Sequence, residues 1–125
     1  MSAELEIQKA VFAALAPLTV PVYDSVPDNA NPPYVVIGED IVNAFDTDGA
    51  SGFEATINIH TWSAYRGRKE IKELQSAIYN LLHRAELTVA GYNFLGCDSE
   101  LSESFIDADG VTRHGVQRFR IFIRE

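Results

Sequence analysis

The sequence predicts an α+β domain in which two helices pack on one face of an antiparallel or mixed sheet of about four strands. Three observations predict this class. Apolar and polar residues alternate after Gly52, apolar residues at helical spacing follow a short basic turn, and strand-like segments then flank a tight turn. The predicted order is α-β-β-α-β-β. We expect residues 1–125 to form one domain, because a chain of this length can bury a core without disulfides.

The first helix is predicted over residues 3–16. Ser2 is a suitable N-cap residue, and Pro17 ends the helix. The predicted buried side of the helix consists of apolar residues, namely Leu5, Ile7, Val11, Phe12, Ala14 and Leu15. Residues 17–33 contain all five prolines, so we expect an ordered but irregular segment that crosses the sheet.

Two strands and a polar loop are predicted next. Residues 34–41 form a short, nearly continuous apolar strand, and residues 42–52 form a polar loop. Glycines and acidic residues in this loop predict mobility in the free protein, centred on Phe45, Asp46, Asp48 and Gly49. The strand that follows should bury one face only, made of Phe53, Ala55, Ile57, Ile59, Thr61 and Ser63.

The second helix is predicted over residues 67–85. Its buried face has helical spacing and consists of Ile71, Leu74, Ile78, Leu81 and Leu82. We expect residues of this helix and of two strands to share one core, namely Ile57, Ile59, Leu74, Ile78, Phe119 and Ile121.

The last part of the sheet is predicted to be a hairpin. Residues 87–106 contain one short and one longer strand, and residues 112–124 form the last strand. Gly110 favours a three-residue loop in which Asp107 lies opposite Val111. This register places opposite charges in pairs on the outward face, Asp98 with Arg120 and Glu100 with Arg118. The inward pairs are Leu95 with Ile123, Cys97 with Ile121, and Ser99 with Phe119.

The charge distribution points to protein contacts rather than to nucleic acid. The net charge is −8, whereas phosphate binding requires a basic surface. Eight of the ten basic residues nevertheless form two clusters: Arg66, Arg68, Lys69 and Lys72, and then Arg113, Arg118, Arg120 and Arg124. An acidic protein with basic clusters can bind acidic copies of itself or an acidic partner.

Each cluster has two interpretations. Arg68 and Lys69 oppose the dipole of the second helix, which suggests an external use, but they could also be ordinary solvated residues. Arg118 and Arg120 could pair within the sheet or contact another subunit. Phe122 lies on the same outward face and favours the second interpretation, and Trp62 is predicted to face outward as well.

No constellation of residues predicts catalysis, a metal site or a cofactor. His60, His83 and His114 lack the close spacing of metal ligands, and Cys97 faces inward as a small hydrophobic residue. Asp46, Asp48 and Gly49 lack the acidic residue that would complete a calcium loop. With no catalytic constellation, we do not expect an enzyme. No apolar run could cross a bilayer and no export signal is evident, so we expect no membrane partner.

An ordered series of short motifs resembles the tail-completion family of long-tailed phages. The series runs through Val22-Tyr23-Asp24-Ser25-Val26-Pro27, Pro33-Tyr34-Val35-Val36-Ile37-Gly38-Glu39, Ile59-His60-Thr61-Trp62-Ser63, Tyr65-Arg66-Gly67, Ala90-Gly91 and Arg113-His114-Gly115-Val116-Gln117-Arg118-Phe119. It covers nearly the full chain with matching segment spacing. Residues 17–33 and the loop at 42–52 depart most from the family pattern.

The resemblance implies a tail terminator of a siphophage, prophage or gene transfer agent. Such proteins cap the head-proximal end of the tail tube as a hexameric ring, stop its polymerisation and join it to the head connector. The implied partners are copies of the chain, the tail tube protein and the connector or neck protein, with DNA passing through the lumen without sequence-specific binding. The implied location is the neck end of the virion tail, after assembly in the host cytoplasm. A head-completion or neck adaptor protein is the alternative, and a small-molecule enzyme comes third.

Overall fold

Two helices lie on one face of a five-stranded mixed sheet, in a computed structural model that describes residues 2–125. The elements in chain order are α1 (Ala3–Ala14), β1 (Val22–Tyr23), β2 (Tyr34–Ala44), β3 (Gly52–Ser63), α2 (Lys69–Leu82), β4 (Asn93–Ile106) and β5 (Arg113–Arg124). The strand order is β1-β2-β3-β5-β4, with β1 parallel to β2 and the other pairs antiparallel. The predicted α+β class is confirmed, and the observed order α-β-β-β-α-β-β contains one strand more than the predicted one.

The additional strand is β1, which lies in the segment predicted to be irregular. Pro21 carries no N–H, but its carbonyl accepts a hydrogen bond from the Val35 amide at 2.9 Å and starts the pairing with β2. The short strand predicted at the beginning of residues 87–106 is absent among the described residues. Leu87 and Val89 alternate as strand residues do because they pack on the core, yet their segment pairs with no strand.

The first helix buries a different side from the one that its large apolar residues predict. The Ser2 side chain accepts from the Leu5 amide at 3.3 Å, so the predicted N-cap is confirmed. Leu5 and Phe12 are each 50% exposed, however, and their predicted burial is wrong. The helix instead turns Ala3 and Ala10 inward beside Ile7, because these small side chains allow close packing on the sheet.

The core between α2 and β3 follows the sequence prediction closely. The predicted inward face of β3 is buried from Ala55 to Ser63, with Phe53 half-buried at its start. Five of the six residues predicted to share a core lie in one cluster, namely Ile57, Ile59, Ile78, Phe119 and Ile121. Leu74 is buried but lies outside that cluster, beside the segment that follows α1.

The β4–β5 hairpin differs from the predicted register at two points, a longer loop and a bulge. The two differences cancel each other near the middle of the hairpin. The Asp107 amide donates to the Thr112 carbonyl at 2.8 Å, so the loop is one residue longer than predicted and Asp107 does not pair with Val111. A bulge between Ser99 and Leu101 restores the predicted register. The pairs Asp98 with Arg120, Cys97 with Ile121 and Ser99 with Phe119 are therefore confirmed.

Two predicted pairs of this hairpin are wrong because of the bulges. Leu101, not Glu100, lies opposite Arg118. A second bulge between Phe94 and Gly96 places Phe94, not Leu95, opposite Ile123.

The bounds of two further elements, β2 and α2, differ from the prediction. Strand β2 extends to Ala44, so the loop predicted at 42–52 shortens to residues 45–51. Helix α2 is shorter than the predicted 67–85, because Gly67 (φ 88°) and Arg84 (φ 56°) adopt left-handed conformations outside its ends.

Candidate interface on the open face of the sheet

The face of the sheet opposite the two helices is not covered by any element within residues 2–125. Alternation along β3 places Glu54, Asn58 and Trp62 on this outer face, opposite Phe122, Arg118 and His114 of β5. All of these side chains are half-buried or exposed. The outer face therefore combines charged and aromatic groups, a composition typical of a contact surface rather than of a core.

Aromatic rings gather at the end of the outer face where β5 begins. Trp62 stacks on His114 with ring centroids 4.3 Å apart and on His60 at 5.5 Å. Tyr34 lies 5.6 Å from Trp62, and Phe105 lies 4.9 Å from His114. We call these five residues the aromatic cluster. Because they come from four strands, the cluster fixes that end of the sheet.

A chain of polar contacts runs through the aromatic cluster. His60 Nδ1 lies 2.9 Å from His114 Nε2, His60 Nε2 lies 3.1 Å from Glu39, and His114 Nδ1 lies 3.8 Å from Asp107. Burial, and then the nearby His60, lower the pKa of His114. The pKa of Glu39 is also lowered, mainly by a backbone hydrogen bond. The arrangement therefore disfavours protonation of His114.

Neither predicted charge pair forms in the middle of the outer face. Asp98 lies opposite Arg120 in the register but approaches Arg84, at 3.9 Å, and Glu100 binds Arg120 instead of Arg118. Arg120 forms ion pairs with Glu54 and with Glu100, the latter at 2.8 Å. Among residues 2–125 the Arg118 Nε donates to Asn58 alone, at 3.4 Å, and the Arg118 side chain is exposed. Pairing within the sheet therefore accounts for Arg120, whereas Arg118 remains open to a partner.

Phe122 lies at the far end of the outer face. Its ring contacts Phe45 of the 45–51 loop, with centroids 5.2 Å apart. In the same loop Asp46 accepts from the Gly52 amide at 3.3 Å, and Asp48 and Gly49 are exposed. The mobility of Phe45, Asp46, Asp48 and Gly49 stays a prediction, which amide exchange would test.

The first basic cluster forms a separate surface. Arg66 and Arg68 are exposed in the turn before α2, and no ion pair within 4.0 Å holds either of them in the described part of the chain. Lys69 approaches Glu73 at 4.0 Å, and Lys72 is exposed one turn further along. Arg68 occupies the N-cap position without a side-chain cap. We call Arg66, Arg68, Lys69 and Lys72 the basic turn; it adjoins the aromatic-cluster end of the sheet, because β3 ends at Ser63.

The sequence matches one known family over almost its whole length. The profile of the family described as "Tail completion protein gp17" matches residues 3–124. The chain is also 32% identical over 91 residues to the tail completion protein gp17 of Bacillus phage SPP1, which covers 73% of this chain and 67% of that protein. The chain belongs to the tail completion protein gp17 family.

Two solved structures have a similar fold. One is the SPP1 gp17 protein, with a TM-score of 0.64 and 27% identity over 95% of this chain and 89% of that one. The other is a chain from the virion of a native gene transfer agent, with a TM-score of 0.88 over 99% of this chain and 98% of that one. At 20% identity the second comparison shows the fold alone.

The histidine pair is the feature of this family member that the sequence analysis missed. His60 and His114 are 54 positions apart, so their spacing in the sequence gives no sign that the two rings meet. The register between β3 and β5 would have revealed the pair, since it places Trp62 opposite His114. That register depends on a long-range pairing, whereas the register predicted from the sequence concerned the local hairpin only.

Other candidate chemistry remains sparse in the part of the chain that the structure describes. Residues 2–125 contain no group of three or more His, Cys, Asp or Glu side chains suited to hold a metal ion. Cys97 is buried, and burial raises the pKa of its thiol to about 12. Within residues 2–125 no helix has the length and apolar character required to cross a membrane.

Proposed function

We propose that the protein is a structural virion component that completes a phage-type tail. It caps the head-proximal end of the tail tube as a hexameric ring, stops tube polymerisation and joins the tail to the head connector. Family membership carries this proposal, since the SPP1 relative is a tail completion protein. The likeness to a gene transfer agent virion chain supports a place in such a particle. The proposed role involves no reaction and no cofactor.

The surface of the protomer suits assembly into a ring. Closed cyclic symmetry requires two different complementary patches on each copy. The basic turn and the outer face are two such unlike patches on one chain of net charge −8. We propose that Arg66, Arg68 and Lys69 bind acidic side chains of a neighbouring copy or of the tail tube, and that Arg118 and Phe122 take part in contacts of the outer face.

The other predicted interface residues support these contacts rather than form their centre. Lys72 extends the basic turn, and Trp62 rigidifies the end of the sheet beside it. Arg120 contributes indirectly, since Glu54 and Glu100 already hold it. DNA passes the ring without sequence-specific contacts, because a protein of this net charge repels phosphate.

A triple change of Arg66, Arg68 and Lys69 to Ala tests the proposal. The purified variant should melt as the unchanged protein does, because exposed substitutions usually alter stability by only about 0.5 kcal/mol each. Electron microscopy of particles complemented with this variant should show tails of uncontrolled length, since truncating an interfacial charge pair costs ~2–5 kcal/mol of binding.

A control removes two exposed basic residues that lie outside the basic turn and the outer face, with Lys9 and Arg84 changed to Ala. This variant should give normal particles. Normal tails joined to heads with the basic-turn variant would refute its proposed role. Tails of normal length that fail to join heads would instead favour the neck adaptor function.

A further inference from the structure

The sheet differs in polarity beneath the two halves of α2. Under the second half, residues 76–82, the inner face is apolar, and Ile78 and Leu82 belong to the core cluster. Under the first half, residues 69–75, the inner positions near the end of β3 and the start of β5 carry polar side chains or none. We call these residues the polar layer: Thr61, Ser63, Arg113, Gly115 and Gln117.

Two side chains of the first half of α2 lie on the polar layer. A Cβ atom added to Gly115 would lie 2.4 Å from the Gln75 Nε2 and 3.3 Å from the Ile71 Cδ1, so the missing side chain makes room for both. Ile71 is fully buried and Leu74 is 8% exposed, yet neither belongs to the core cluster. The first half of α2 therefore packs on a separate, polar contact rather than on the core.

Side-chain hydrogen bonds join the first half of α2 to the sheet. The Ser63 Oγ donates to Glu70 at 2.6 Å, and the Gln117 Nε2 donates to the Gln75 carbonyl at 2.9 Å. The Gln75 Nε2 in turn donates to the Glu103 carbonyl at 2.8 Å. Each of these groups can exchange its partner for water, so the net stabilisation by such a bond is small. These bonds fix the position of the first half more than they stabilise it.

The polar layer also contains unpaired polar atoms. Within residues 2–125, the buried side-chain atoms without a hydrogen-bond partner are Thr61 Oγ1, Arg113 Nε and Gln117 Oε1. All three belong to the polar layer. A buried polar atom without a partner costs free energy that contact with water returns, so hydration offsets part of the cost of separating α2 from the layer. Unpaired atoms gathered under one half of a helix therefore point to a contact that opens.

The start of α2 is weakly held as well. Arg68 occupies the N-cap position without a side-chain hydrogen bond, and Gly67 before it has a left-handed conformation (φ 88°). Arg68 and Lys69 place positive charge at the positive end of the helix dipole, which Glu70 in the first turn offsets only in part. The first turn thus contributes little to keeping this half of the helix closed.

We propose that the basic turn and the first half of α2, residues 64–75, open from the sheet as one unit while the second half and the core stay folded. Opening hydrates the three unpaired atoms and breaks the bond between Ser63 and Glu70, which frees Arg66 and Arg68 to change position. The opening itself rests on the fold alone. Its use, in which the opened basic turn reaches acidic groups of a partner, rests on the proposed function.

Native-state amide exchange on the full chain tests the opening. The Lys72 amide already donates within the helix, to the Arg68 carbonyl at 3.1 Å, so amides 72–75 report on the first half and amides 79–82 on the second. Amides 72–75 should exchange at least about tenfold faster than amides 79–82, because a unit smaller than the domain opens at lower free energy. Their opening constants should be equal, whereas simple fraying would give a gradient from the helix end.

Three substitutions separate the opening unit from the core. Thr61→Val keeps the shape of the side chain and removes the unpaired hydroxyl, so it should slow exchange of amides 72–75 about fivefold. Thr56→Val, the same change on the outer face of β3, should leave their exchange unaltered. Ile121→Val weakens the core alone, and it should speed exchange of amides 79–82 while amides 72–75 keep their rate.

Unchanged or faster exchange of amides 72–75 in Thr61→Val, a gradient along them, or an equal response of both halves to Ile121→Val would overturn the opening. Particles complemented with Thr61→Val test its use, and they should contain more tails of uncontrolled length than particles with Thr56→Val. Normal particles with Thr61→Val, beside defective ones with the triple variant of the basic turn, would overturn this use and leave the proposed function intact. Normal particles with both variants would contradict the proposed role of the basic turn as well.

Discussion

The two faces of β3 and β5 differ although they share the same backbone. On the inner face Ile57 and Phe119 are at most 1% exposed and pack under α2. The neighbouring residues, Asn58 after Ile57 and Arg118 before Phe119, point to the outer face and reach solvent. Because residues of a strand alternate between faces, a single strand can supply the core with one set of side chains and contact surface with the other. Stability should therefore depend on the inner face and recognition on the outer one.

The largest expected change in stability comes from a substitution on the inner face. Ile78 of α2 is fully buried in the core cluster. Ile78→Ala should lower the free energy of unfolding by ~2–5 kcal/mol, because the change removes buried apolar volume and leaves a cavity. Denaturant titration with both proteins measures the difference.

An outer-face isoleucine supplies the matched control. Ile41 is 64% exposed, so Ile41→Ala should change the free energy of unfolding by no more than about 0.5 kcal/mol. If both variants lost a similar amount of unfolding free energy, stability would not depend mainly on the inner face.

A smaller effect is expected from the ion pairs of the outer face. Arg120→Met removes the contacts with Glu54 and Glu100, and cross-strand charge pairs contribute roughly 0.2–1 kcal/mol each. Arg118→Met removes only the 3.4 Å contact with Asn58 and should cost less. Thermal melts at low and high salt should show a difference between the two variants that shrinks as salt screens the ion pairs. An equal cost for both arginines would contradict the assignment of Arg120 to the sheet and Arg118 to a partner.

The two faces also differ in how far they can be predicted from the sequence. The inner face of β3 was predicted residue by residue, because burial on one side leaves a two-residue period that needs no knowledge of the partner strand. The outer face was not, because its contacts depend on the register between distant strands, as with Trp62 and His114. The bulge after Ser99 could not be predicted either, since nothing in the local pattern marks the extra residue.

Helix α1 shows a third limit of the sequence pattern. Its apolar residues cover more than one side, and the helix buries the side that contains Ala3 and Ala10 rather than Leu5 and Phe12. The candidate interface shares this limit, since charge clusters identify exposed residues but not the surface that they meet. The comparison with known proteins, not the residue pattern, carries the functional proposal.

The smallest expected effect concerns the protonation of the outer face. The folded pKa of His114 lies below its ordinary value of 6.5, because burial and the neighbouring His60 disfavour its charged form. The unfolded chain therefore binds the proton first as pH falls, and stability should decrease from about pH 7 downward until His114 is also protonated in the folded state. The lowered pKa of Glu39 acts in the same direction, and its effect on stability begins near its ordinary value of 4.5 as the pH falls.

His114→Phe keeps a ring against Trp62 and removes the titrating group, which makes it the matched variant. Melting temperatures between about pH 8 and about pH 5.5 should fall more steeply for the unchanged protein than for this variant. Parallel pH profiles would mean that the folded protein protonates His114 as readily as the unfolded chain does. The 2.9 Å contact between the two rings would then stabilise a shared proton rather than oppose one.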